Sequence, residues 1–109
     1  MENRDVIERA IQLLQHLKSR LQASHLTHPA TPRLLDIVNG TLSKIQSSSD
    51  IDHPFLMALE KAYQGLSMIL GLTGMQLDEG AHLAWDQFDS FMQEVIKPRL
   101  HLYGFYWRA

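Results

Sequence analysis

Apolar residues recur along the first part of the chain at spacings of three and four, at Val6, Ile7, Ala10, Ile11, Leu14, Leu17 and Leu21. This spacing lines one face of a helix and leaves the charged residues on the other, so a first amphipathic helix is predicted over about 3–23. From His25 to Pro32, two prolines and the threonines interrupt the pattern, and Thr31-Pro32 offers a side-chain cap followed by the fixed φ of a first turn. A second helix is predicted over about 32–46, with Leu34, Leu35, Ile37, Val38, Leu42 and Ile45 inward and Gly40 as a weak point costing about 1 kcal/mol relative to alanine. Ser47 to Ser49 end it.

Asp50-Ile51-Asp52-His53-Pro54 repeats the same start signal, a capping side chain before a proline. The third helix, over about 54–71, carries the widest apolar set: Phe55, Leu56, Leu59, Ala62, Tyr63, Leu66, Ile69 and Leu70. Gly71 to Gly74 supply its stop. Asp78 caps a fourth helix over about 78–97, whose inner stripe is Ala81, Ala84, Trp85, Phe88, Phe91, Met92, Val95 and Ile96. Pro98 is expected to kink or end that helix, because proline lacks a backbone donor and clashes one turn back. Four helices joined by short loops favour antiparallel neighbours, so the expected fold is an all-α, antiparallel four-helix bundle with a short aromatic C-terminal tail over 98–109.

The 109 residues suit a single domain, and 45% hydrophobic with 20% charged residues is a folding composition rather than a disordered one. A formal net charge of -2 gives no overall basic field, so nucleic acid is not the expected partner. The absence of cysteine removes disulfide scaffolds, thiolate metal sites and thiol catalysis, and it fits a reducing cytoplasm. No export signal is read at the start, and the stretch from Leu66 to Leu72, broken by Ser67 and Gly71, is too short to span a bilayer.

Candidate chemistry is sparse. His25 and His28 are spaced as H-x-x-H but flank a proline-containing loop and lack a third ligand, where zinc takes three or four. His82 has Asp78 and Asp86 four residues away on either side; a solvated helix face is preferred over a site. The run His82-Leu83-Ala84-Trp85 departs from the pattern of histidine phosphotransfer bundles, which place a lysine and a glycine just after the histidine. No glycine-flanked serine elbow and no phosphate loop occur. The carboxylates Asp78, Glu79, Asp86, Asp89 and Glu94 fall mainly outside the apolar stripe and read as a solvated acidic face. Met57, Met68, Met75 and Met92 read as bundle packing. No catalytic residue, cofactor or metal is expected.

The stretch from Lys97 to the last residue differs in kind. Lys97, Arg99 and Arg108 reverse the sign of the preceding acidic helix, and Tyr103, Phe105, Tyr106 and Trp107 crowd aromatic rings into five positions. Two readings stand together: the rings pack back on the bundle between the third and fourth helices, or they form a contact surface, since rings with polar edges beside cations suit protein and membrane interfaces.

Leu34-Leu35-Asp36-Ile37-Val38 followed by Leu42-Ser43-Lys44, the capped third helix with Ala62 and Tyr63, Leu77-Asp78-Glu79 at the start of the fourth, and the aromatic C-terminal extension together resemble the immunity proteins of pediocin-like bacteriocins, over nearly the full chain. Relatives often cap the fourth helix with threonine, where this chain has Asp78. The resemblance implies a cytoplasmic, non-enzymatic four-helix bundle that protects the producer cell. It would recognise the mannose phosphotransferase permease occupied by bacteriocin and block the pore from the cytosolic side, peripheral to the membrane and as a monomer. Specificity would lie in the C-terminal half, which on this chain gives Lys97, Arg99, Tyr103, Phe105, Tyr106, Trp107 and Arg108 as partner-binding residues. The alternatives are a homo-oligomeric helical adaptor and a histidine-based phosphocarrier using His82.

Overall fold

A computed structural model describes residues 3–24 and 28–102, and these form helices joined by short connections, with no strand among them. The order is α1 (Asn3–Ala23), α2 (Thr31–Ile45), α3 (His53–Thr73), α4 (Glu79–Phe91), a π-helical turn (Met92–Ile96) and α5 (Lys97–Leu102). The last three segments run on from one another as a single rod of about 36 Å at 1.5 Å per residue. That length matches the longest dimension of the molecule, 39 Å.

Four helical rods close into a bundle in which α1 packs on α2 and α4, α2 on α3, and α3 on the π-turn. Contacts at both ends show the directions. Arg20, near the end of α1, lies over Gly80 at the start of α4, while Arg9 near the start of α1 shares a groove with Glu94 and Val95. Arg4 and Glu8 share another with Gln46 and Ser48 after α2. α2 and α4 therefore both run antiparallel to α1, in keeping with short connections between neighbours.

The core follows the predicted stripes. Leu14, Leu34, Phe55, Leu56, Leu59, Leu66, Phe88, Met92 and Ile96 are fully buried, and Ala10, Ala81 and Ala84 are small enough to let α1 and α4 approach closely. On α2 and α3 a glycine does this work: a Cβ added to Gly65 would lie 3.1 Å from Ile37 Cδ1. Of the four methionines read as packing, Met92 is buried and Met57 and Met75 are half-buried, but Met68 is 61% exposed.

The predicted caps are present on two of three helices. Asp52 accepts from the Phe55 N–H at 3.0 Å and Asp78 from the Ala81 N–H at 2.8 Å, each satisfying a donor the helix cannot. Gly74, at φ 62°, ends α3 in the left-handed conformation. Thr31 is not the cap of α2; it is already helical, and its start is built on backbone turns from His28 and Ala30, with His28 Nδ1 accepting from the Ala30 N–H at 3.0 Å.

The larger correction concerns Pro98. The helix does not stop there but continues to Leu102. Just before the proline the register widens, so that the Lys97 N–H donates to the Met92 carbonyl five residues back. A proline is excluded from an α-helix by its missing donor and by the carbonyl its ring meets one turn back. The π-turn loosens that spacing, and Pro98 itself faces solvent. Arg99 donates from its guanidinium to the Val95 carbonyl at 3.4 Å, and Leu100, fully buried, fastens α5 to the core.

Candidate functional site

Polar side chains that bridge elements gather on the face shared by α3, α4 and α5. Its centre is Tyr63. The phenol donates to Asp89 Oδ1 at 2.5 Å and accepts from Gln93 Nε2 at 2.8 Å, and its ring stacks on Trp85 with centroids 5.7 Å apart and 12° between planes. Phe88 packs tilted against both rings. Burial, then the bond to the Asp89 carboxylate and its charge, push the Tyr63 phenol above its ordinary range, while Gln93 and Ser67 draw it back down.

Lys97 reaches the same ring, with Nζ 4.9 Å from its centroid. Asp89, Gln93 and Lys97 are spaced by four, and over those eight residues an unbroken α-helix would turn the last side chain about 80° away from the first. The π-turn takes more residues per turn and removes much of that drift, so the irregular segment keeps Lys97 above Tyr63.

Beneath this face lies Glu60, on α3, only 6% exposed. Its Oε1 accepts from Gln64 Nε2 at 3.2 Å, and its Oε2 is buried without a hydrogen-bond partner. Burial pushes its carboxyl above the usual carboxylate range, opposed by the positive charge of Lys97 and the bond from Gln64. Glu60 is a charged residue within the inward stripe of α3, where only apolar residues are expected from periodicity. Its spacing was informative: four after Leu56 and three before Tyr63, Glu60 occupies a core-facing position of α3.

Of the residues expected to meet a partner, the structure places Lys97 and Arg99 half-buried, the first against Tyr63 and the second on the Val95 carbonyl. Both cations engage their own chain. Tyr103, Phe105, Tyr106, Trp107 and Arg108 lie outside the described residues, as does His25 of the H-x-x-H pair.

The acids along the last rod divide among separate tasks. Asp78 caps the helix, Asp86 pairs with His82 Nδ1 at 3.1 Å on the surface, Asp89 holds Tyr63, and Glu94 lines the groove with Arg9 on the α1 side. Among the described residues no group of three histidine, cysteine or carboxylate side chains could hold a metal ion. No described helix is long and apolar enough to cross a membrane.

A second surface feature lies toward the turn between α3 and α4. Leu72 is 81% exposed, with Met68 and Leu83 also open, close to a shallow groove formed by Leu70, Met75, Leu77, His82 and Trp85. No protein-family model matches the chain, and neither a curated protein nor a solved structure shows significant similarity to it.

Proposed function

We propose that the chain is a non-enzymatic immunity protein that protects a cell from a pediocin-like bacteriocin by engaging the bacteriocin-occupied permease from the cytosolic side. The observation that carries the reading is the form of the C-terminal rod: in a compact four-helix bundle the last helix runs on through Pro98 to Leu102, directly before the aromatic and basic segment. Binding would then use that segment, with Lys97 and Arg99 at its base. The test is expression in a sensitive strain, followed by challenge with a panel of pediocin-like peptides. Survival against at least one peptide supports the reading, and uniform killing despite soluble expression rejects it.

The exposed apolar side chains Leu72, Met68 and Leu83 favour a second reading, a helical adaptor that pairs with another copy. Sedimentation velocity distinguishes the two: a monomer at all concentrations removes the adaptor.

A further inference from the structure

We propose that the groove between the end of α3 and the start of α4 binds a cationic peptide segment of a partner protein through an apolar anchor side chain. The inference concerns a different face from the C-terminal segment and stands whether or not the immunity reading holds.

The groove measures about 390 Å³ and is formed by Leu70, Met75, Gln76, Leu77, His82 and Trp85. Leu70, Leu77 and Trp85 also wall a void of about 10 Å³, whose other lining residues are Leu17, Leu21, Leu34 and Leu66. The void has no polar side chain to hold a water, so an apolar floor runs from the surface groove toward the core. Met75, Gln76 and Leu77 belong to the connection between Gly74 and Asp78, outside any helix. Leu72, 81% exposed, stands at the same end of α3. A concave apolar floor with a few polar groups at its edge is the form that takes an anchor side chain.

Charge selects the occupant. Between Lys61 and Lys97 the chain carries Asp78, Glu79, Asp86, Asp89 and Glu94 and not one lysine or arginine. The groove's residues all come from this stretch. Asp78 follows Leu77 directly, and Asp86 pairs with His82 Nδ1 at 3.1 Å, which sets a carboxylate beside the groove's edge. The nearby cations are engaged elsewhere: Arg20 of α1 lies over Gly80, and Lys97 rests on the Tyr63 ring. Two copies meeting groove to groove would oppose like charges, and an anionic lipid surface would be repelled in the same way. A segment with an apolar side chain flanked by lysine or arginine meets both the floor and the acidic surroundings.

A titration on the full chain tests this. Trp107→Phe leaves Trp85, in the groove, as the one tryptophan to report by fluorescence. The probe is a synthetic peptide of lysine, serine and leucine with one central phenylalanine; its twin carries glutamate for every lysine. The lysine peptide should shift the Trp85 emission saturably, with weaker affinity as salt rises, and the glutamate peptide should leave it unchanged. Gln76→Lys, at an exposed position of the groove, should weaken binding on the order of tenfold. Glu8→Lys, on the surface of α1, should alter it less than about twofold. The proposal is overturned if the lysine peptide gives no saturable shift or if the glutamate peptide binds equally. It is also overturned if Gln76→Lys binds as the parent does or if Glu8→Lys weakens binding as much, which would mean attraction to the net charge alone. A shift produced by phosphatidylcholine vesicles and not by the peptide would make the face a lipid contact and overturn it as well.

Discussion

The Lys97 ammonium lies 4.9 Å from the centre of the Tyr63 ring, joining α5 to α3 just where the helical register has changed. One tyrosine thereby links α3 to the whole of the last rod, through Asp89 before the register change, Gln93 within it and Lys97 after it.

Tyr63→Phe keeps the ring stack and removes the hydroxyl from that network. Urea denaturation should show a loss of about 1 kcal/mol, the usual net worth of a hydrogen bond, somewhat more because one partner is charged. The phenol is held above its ordinary 10.0 in the fold, so its contribution is complete below that value and disappears as pH rises through the raised one. Tyr63→Phe should therefore flatten the decline of stability in alkali. An unchanged alkaline profile would remove Tyr63 as its source.

Glu60 gives the opposite end of the pH scale. Its folded carboxyl titrates above the ordinary 4.5, so the stability it contributes is complete below that value and is lost as pH rises through the raised one. Glu60→Met should raise the melting temperature at neutral pH and have a smaller effect in acid, with the melting temperature across pH as the measurement. A lower melting temperature at neutral pH would mean that attraction to Lys97 outweighs the cost of burial.

Cutting the chain after Pro98 would remove Leu100, whose side chain is fully buried. Leu100→Ala should cost roughly 2–5 kcal/mol, the range for a leucine truncated in a packed core, as measured by chemical denaturation. A stop after Leu102 keeps α5 and removes only the aromatic segment. That shorter chain should retain the helical circular dichroism signal while losing protection in the challenge assay. Retained protection would exclude residues 103–109 as the active part.

The two aspartate caps can be compared within one protein. Asp52→Ala and Asp78→Ala should each lower stability by about 1 kcal/mol, since each leaves a first-turn donor unmet. Thr31→Ala should cost clearly less, because α2 has no side-chain cap hydrogen bond to lose. Equal losses at all three positions would contradict this arrangement.

By itself the sequence determined the four helical rods, their inward stripes and most of their ends. Val6 through Leu21, or Ala81 through Ile96, carry a period that only a helix can bury on one side, and Asp52, Gly74 and Asp78 act within a few residues of their own position. Such signals are local and survive in one dimension. Tertiary structure decided the rest. Pro98 reads as a kink or an end until Leu100 is seen buried in the core and a widened turn is seen just before the ring. Lys97 reads as a partner-binding cation until Tyr63, far away in sequence, is found beneath its ammonium, and the burial of Glu60 shows only once the helices are packed. In each case the deciding partner belongs to another helix, and the energy of a side chain follows from what covers it, which spacing along one helix does not encode.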